Sequence, residues 1–156
     1  MALLTSSMGP FIIFFMPNIN PTSRQMRYFN LAKSTALNSE YTRKGRGKIA
    51  IGSAIVSGNF VVSQGYNKRK THTRQAHHNN ISKYFAPCPN IHAEMDALIR
   101  SRYHDLDGAE IFVYREFVDG GLANCRPCRS CMDALVKAGV KHIYYTDEDG
   151  FHYERV

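Results

Sequence analysis

The amino-acid sequence predicts an α/β fold of three layers, α-β-α, in which helices cover the faces of a mixed sheet of about five strands. Helix-like and strand-like stretches alternate along most of the chain, and such alternation packs helices onto a sheet. Two turn signals, Ser-Gly-Asn at 57–59 and Asp-Gly at 149–150, each lie between strand-like runs and so predict antiparallel neighbours. With 156 residues, 44% of them apolar and 21% charged, the chain can bury one core and is too short for two ordinary domains.

The chain opens with an apolar run, "FIIFFM" (Phe11 to Met16). No Lys or Arg precedes Arg24, and the run ends in "PNINPTS", so it lacks the basic start and small-residue cleavage site of a secretory signal. Its six residues fall far short of the roughly 20 that cross a bilayer. Residues 1–23 are therefore read as an extension, either disordered or packed on a partner, and 24–156 as the functional domain.

Behind Ser23, a candidate N-cap, Met26, Phe29, Leu31, Ala32 and Leu37 recur at helical intervals. The stretch "KIAIGSAIV-SGN-FVVSQGYN" follows as two strands rich in Ile and Val. "NIHAEMDALIRSRY" reads as a second helix and "EIFVY" as a third strand. "RPCRSCMDALVKAG" reads as a third helix closed by Gly139, and "HIYYT" as a fourth strand. In "YYTDEDGFHYERV" the Asp-Gly turn predicts a final antiparallel hairpin.

Charge is unevenly placed. Residues 1–75 hold eleven Lys and Arg against the single acid Glu40, while 76–156 hold nine against twelve acids. The basic half invites an anion. Its clusters, Arg43 to Lys48 and Lys68 to Arg74, flank the predicted hairpin, and Lys68 and Lys70 are the candidate phosphate contacts. A merely solubilising surface is the alternative.

Four cysteines in a chain of this size are too few for a secreted disulfide scaffold, which points to a reducing, intracellular (cytoplasmic) setting. Cys128 and Cys131, at metal or redox spacing, share the start of one predicted helix, with Pro127 in its first-turn position. His92, Ala93 and Glu94 open another. Imidazole and thiolate donors suit Zn²⁺, two cysteines on one helical turn reach a single metal, and the helix N-terminus favours their ionised form. A structural zinc takes four protein ligands, whereas a catalytic one takes three and leaves a place for water. Glu94, two residues beyond His92, is placed to exchange protons with that water without binding the metal. The order H-x-E, then P-C-x-x-C, is the signature of zinc-dependent nucleobase deaminases.

On "HAEMDAL" and "PCRSC", in that order and separated by a strand, the sequence resembles the cytidine and deoxycytidylate deaminase superfamily, with similar element order from about Arg24 to the C-terminus. The resemblance implies that His92, Cys128 and Cys131 hold zinc and that Glu94 shuttles protons. It implies that Asn67 contacts sugar and base, that the Ala93 N–H faces the pyrimidine carbonyl, and that the protein is a homo-oligomer. Two departures stand out. In the familiar nucleotide and tRNA deaminases the third strand runs almost directly into the Pro-Cys motif, but here "REFVDGGLANCR" intervenes and is expected to border the pocket. The terminal hairpin replaces the extra helix that typically precedes the last strand in deoxycytidylate and polynucleotide deaminases.

Several residues have competing readings. Cys125 or Cys88 could add a fourth ligand and close the site. His72, His77 and His78 are read as a polar, solvated or phosphate-facing loop, with a second metal site as the alternative. Tyr114 and Phe117 could stack on a base or be plain core. Three function classes follow: a deaminase of a free cytosine nucleotide, deoxycytidylate first, with no membrane partner; a deaminase of single-stranded polynucleotide, with nucleic acid as partner; and a non-enzymatic zinc-stabilised binding module.

Overall fold

A computed structural model of the chain describes residues 18–42, 49–84, 89–102 and 104–156. The Phe11–Met16 run, the Arg43–Lys48 cluster and Cys88 lie outside the described residues. The elements are α1 (Ser23–Ala36), β1 (Ile51–Ser57), β2 (Phe60–Tyr66), α2 (Thr73–Ile81), α3 (Ala93–Ser101), β3 (Glu110–Arg115), α4 (Arg129–Ala138), β4 (His142–Asp147) and β5 (Gly150–Arg155). The sheet order is β2-β1-β3-β4-β5. All neighbours are antiparallel except β3 and β4, so the sheet is mixed and five-stranded as the sequence predicts.

Helix α1 starts one residue earlier than its apolar pattern suggests. Thr22 is the N-cap: its hydroxyl accepts from the Gln25 N–H at 3.2 Å, and the Gln25 side chain accepts from the Thr22 N–H at 2.9 Å. Tyr28, Phe29 and Ala32 pack on one face of the sheet against Val56, Phe112, Tyr114 and Tyr144. On the opposite face α3 and α4 bring Met95, Leu98, Cys131 and Leu135 against Ile55, Ile111, Val113 and Ile143. Strands covered on both sides have no solvated face, which explains the almost unbroken apolar runs of β1, β3 and β4.

The first hairpin is tighter than read, and the second turns one residue earlier. Ser57 pairs with Phe60, leaving a two-residue turn in which Gly58 takes φ +61. Asp147 pairs with Gly150, so Glu148 and Asp149 form the second turn and Gly150 begins β5. Beside β5, the Ile19 N–H donates to the Phe151 carbonyl at 2.8 Å, tying residues at the end of the N-terminal extension to the sheet edge.

Gly65 fixes how closely α3 approaches. A Cβ there would collide with the Ala93 carbonyl oxygen and the Ala97 amide nitrogen. Ser53 Oγ donates to the Ala93 carbonyl at 2.9 Å and Ser63 Oγ to the Ala97 carbonyl at 2.7 Å, so the helix is held onto β1 and β2 by hydroxyls as well as by packing.

Two sequence expectations need correction. Residues 73–81 form α2, packed on α4, so His77 and His78 lie on a helix and His72 is its N-cap. The inward face of this helix is polar, carrying Gln75, His78 and Asn79, and so gives no apolar periodicity to read. Tyr114 is buried beneath α1, and its hydroxyl donates to Glu116 at 2.9 Å. No described helix is long and apolar enough to cross a membrane.

Candidate active site and metal centre

The site forms where the starts of α3 and α4 meet over the sheet. His92 is the N-cap of α3, with extended backbone (φ −78, ψ 158), and its side chain makes no capping bond. The imidazole is thus turned away from its own helix. Cys128 is the N-cap of α4, and its sulfur accepts from the Cys131 N–H at 3.5 Å. Pro127 therefore sits one residue before the cap, outside the first-turn position expected for it, and is buried.

His92 Nδ1 lies 3.4 Å from Cys128 Sγ and 3.5 Å from Cys131 Sγ. All three donor atoms fall within 4.8 Å of one another. A tetrahedral zinc, with bonds of about 2.3 Å to sulfur and 2.0 Å to nitrogen, holds such donors about 3.5 Å apart. The donor set and its spacing therefore fit zinc. Among the described residues no other group of three His, Cys, Asp or Glu converges in this way. His72 Nδ1 accepts from the Arg74 N–H, and His78 Nδ1 faces Asp133 at 2.9 Å, so these histidines are occupied with α2 and its packing.

Cys125 does not join the cluster. Its thiol sits 3.2 Å from Thr146 Oγ1, and burial pushes its pKa up to about 12, keeping it a neutral thiol. For the cysteine pair without metal, the hydrogen bond from Cys131, together with His92, holds Cys128 below the usual thiol value. Donating that bond pushes Cys131 up. Burial presses His92 down, but Cys128 and the Glu94 carboxylate outweigh it and raise the imidazole.

Glu94 is only 5% exposed. Burial pushes its carboxyl up to about 7, with the positive His92 opposing and Cys128 adding to the shift. Together with His92, Cys128, Ala93 and Asn67, it lines a cavity of about 370 Å³. That is room for one small ligand. As the first residue of α3, Ala93 offers an N–H with no partner inside the helix. Asn67 is held rigidly: its Oδ1 accepts from Ser39 Oγ and the Ile51 N–H, and its Nδ2 donates to the Ile49 carbonyl at 2.8 Å. Among the described residues, the Ile49 carbonyl is the partner of the Asn67 Nδ2, which has a second hydrogen to donate. A larger hollow of about 490 Å³, lined by Thr35, Gln64, Arg100 and Arg102 among others, holds none of these groups.

The cations at the cavity differ from those expected. Lys68 Nζ bonds Asp96 Oδ1 at 2.7 Å beside α3, and Lys70 is exposed; neither lines the cavity. Tyr114 and Phe117 are likewise outside its wall. Arg115 and Arg126 line it instead, with Asn124, so the ends of the "REFVDGGLANCR" loop do border the pocket. Arg126 is gripped by Glu154 at 2.6 and 2.9 Å, and the Tyr145 hydroxyl donates to the same carboxylate at 2.7 Å.

Sequence reasoning missed two further neighbours. Gln75 on α2 reaches the His92 N–H and Ser130, and the Tyr84 ring stands edge-on to the His92 imidazole at 6.0 Å. Neither Gln75 nor Tyr84 belongs to a motif; their shared signal is the polar inward side of α2 and the residues just after it.

Comparison with known proteins gives a consistent picture. Residues 22–147 match the family model described as the cytidine and deoxycytidylate deaminase zinc-binding region. No curated protein sequence matches the chain. Among solved structures, the deoxycytidylate (dCMP) deaminase of the cyanophage S-TIM5 superposes in apo form with a TM-score of 0.51 at 20% identity, covering 81% of this chain and 84% of that one. Its complex with dCMP and dUMP gives 0.52 at 19%, covering 81% and 83%. The cytidine deaminase of Burkholderia pseudomallei gives 0.50 at 14%, covering 83% and 91%. At these identities the likeness is one of fold.

Proposed function

We propose that this chain, which belongs to the family of zinc-binding cytidine and deoxycytidylate deaminases, hydrolyses the amino group of a free cytosine nucleotide, with deoxycytidylate to deoxyuridylate the first candidate. The observation that carries the reading is the placement of the buried Glu94 carboxyl at one cavity with His92 and Cys128, two of the three donors that converge with Cys131. A structural zinc site has no use for such a carboxyl, which argues against a non-enzymatic binding module. The described cysteines are free, so a disulfide staple does not account for them either.

In this reading His92, Cys128 and Cys131 hold the metal. Zinc supplies Lewis acidity there, making water nucleophilic near neutral pH. Glu94 carries the first proton of the attacking water to the ring nitrogen, and then carries the second, from the hydroxyl left by that attack, to the amino group, which departs as ammonia. Its burial keeps bulk water from competing for these protons. The Ala93 N–H donates to the pyrimidine carbonyl and so sets which ring edge faces Glu94. The second Asn67 amide hydrogen meets the sugar, and Arg115 and Arg126 meet the phosphate. The cyanophage dCMP deaminase complex, with dCMP and dUMP in a protein of the same fold, supports a nucleotide as substrate.

The test is ammonia release from the purified protein offered cytidine, deoxycytidine, their mono- and triphosphates, and short cytosine-containing single strands. Highest turnover of a monophosphate supports the proposal. Turnover confined to the single strands would transfer the function to polynucleotide deamination, and none with any of them would contradict the cytosine assignment.

A further inference from the structure

Helix α2 turns a polar face inward, and at its centre Gln75 is fully buried, at 0% exposure. A buried amide is costly unless its hydrogen bonds are made. Here they are made to three different places. Gln75 Oε1 accepts from the His92 N–H at 3.1 Å, and Nε2 donates to Asn79 Oδ1 at 3.0 Å and to Ser130 Oγ at 3.3 Å.

The partners matter more than their number. His92 carries the imidazole donor and precedes the first turn of α3. Ser130 lies between Cys128 and Cys131 on the first turn of α4. The two helix starts belong to separate stretches of chain, and one side chain spans them. Its own base is firm: His72 caps α2 by accepting from the Arg74 N–H at 3.0 Å, and His78 ties the helix to Asp133 of α4 at 2.9 Å.

We propose that Gln75 is a positioning residue that sets the separation between His92 and the Cys128–Cys131 pair, so that the chain holds its three donors at zinc-binding distance before metal arrives. The amide suits this task because it offers an acceptor and donors at a fixed spacing from one rigid group. Fixing the His92 N–H fixes the residue from which the imidazole projects. Fixing Ser130 fixes the helical turn that carries both sulfurs. Metal then meets a site already near its final geometry, and little ordering is left to oppose binding.

The proposal rests on the assignment of the three ligands and goes beyond it. The test is zinc affinity by chelator competition on the full chain, with the visible spectrum of the cobalt-substituted protein as a second readout. Gln75→Met keeps the length and removes the hydrogen bonds; Ser130→Ala removes one bond with little change of shape. Loss of partners that orient metal ligands typically weakens binding by about 10- to 100-fold, and that is the expectation for Gln75→Met, with a smaller loss for Ser130→Ala. The cobalt bands should shift in both. A generic packing role would lower the thermal midpoint of the metal-free protein and leave affinity and spectrum as in the parent; that result overturns the proposal. Should Gln75→Met fail to fold, unchanged zinc affinity in Ser130→Ala overturns it alone. The parent's own affinity in the same titration separates this outcome from failure of the ligand assignment.

Discussion

Cys125 points its thiol at Thr146, 3.2 Å from the hydroxyl oxygen, and not at the His92 imidazole, which lies 3.4 Å from the Cys128 sulfur. The three donors that converge are those of His92, Cys128 and Cys131, and Cys125 is not among them. Cys125→Ser is therefore expected to retain one zinc per chain, whereas Cys128→Ser and His92→Ala are expected to lose it. Elemental analysis of the purified variants checks this. Loss of zinc from Cys125→Ser would mean a closed, four-ligand site.

Gly65 lets α3 lie on the sheet, and a methyl group there meets backbone atoms that cannot rotate aside. Gly65→Ala should push the helix outward, carrying Ala93 and Glu94 with it. Overpacking of this kind costs about 1–3 kcal/mol. Thermal unfolding should show that loss, and turnover should fall further than the loss of folded protein explains. An unchanged midpoint would show that α3 shifts freely and that its seating is not fixed by Gly65.

The difference between what the sequence predicted and what it concealed follows from the kind of signal each part carries. Strands β1 and β3 are buried on both faces and so read as plain apolar runs. The ligands and Glu94 stand at helix starts, where local spacing already limits their geometry. Helix α2 was hidden because it buries Gln75, His78 and Asn79 where a periodicity argument looks for Leu or Ile. Lys68 reads as a phosphate contact from its charge and its place beside the predicted hairpin, yet its ammonium donates to Asp96, 28 residues along the chain. Tyr114 ends a strand near the pocket in sequence, but strand alternation turns it to the α1 face, opposite Val113. Pairings across the sheet of this kind have no local signature.

Arg126 offers a separate check on substrate class. Glu154 orients it bidentately at the cavity, so its charge is delivered to one place. A hydrogen bond to a charged group contributes about 1.5–3 kcal/mol, and on this rim site the lower end applies. Arg126→Ala should lower kcat/KM for deoxycytidylate about tenfold and leave deoxycytidine nearly unaffected. Equal loss on both substrates would remove the phosphate from this end of the cavity.

Salt dependence distinguishes a small substrate from a strand. Binding one terminal phosphate gives a shallow response, while each phosphate neutralised along a single strand adds about 0.7 to the log–log slope. Turnover of deoxycytidylate and of a cytosine-containing oligonucleotide across a salt series should favour the nucleotide, with a shallow slope. Preference for the oligonucleotide with a steep slope would identify the basic half of the sequence as a strand channel.

The most direct measurement of the central claim is the turnover of Glu94→Gln at full zinc occupancy. Gln preserves the volume of this buried side chain and removes its ability to exchange protons, while the ligands His92, Cys128 and Cys131 are untouched. The metal content, fold and substrate affinity should match the parent. Positioned acid–base groups contribute on the order of 10² to 10⁴ in rate, and in the proposed mechanism Glu94 serves more than one proton transfer, so the rate should fall by at least about 10³. A zinc-loaded Glu94→Gln protein that still releases ammonia within tenfold of the parent rate would contradict the account and assign the proton shuttle to another residue.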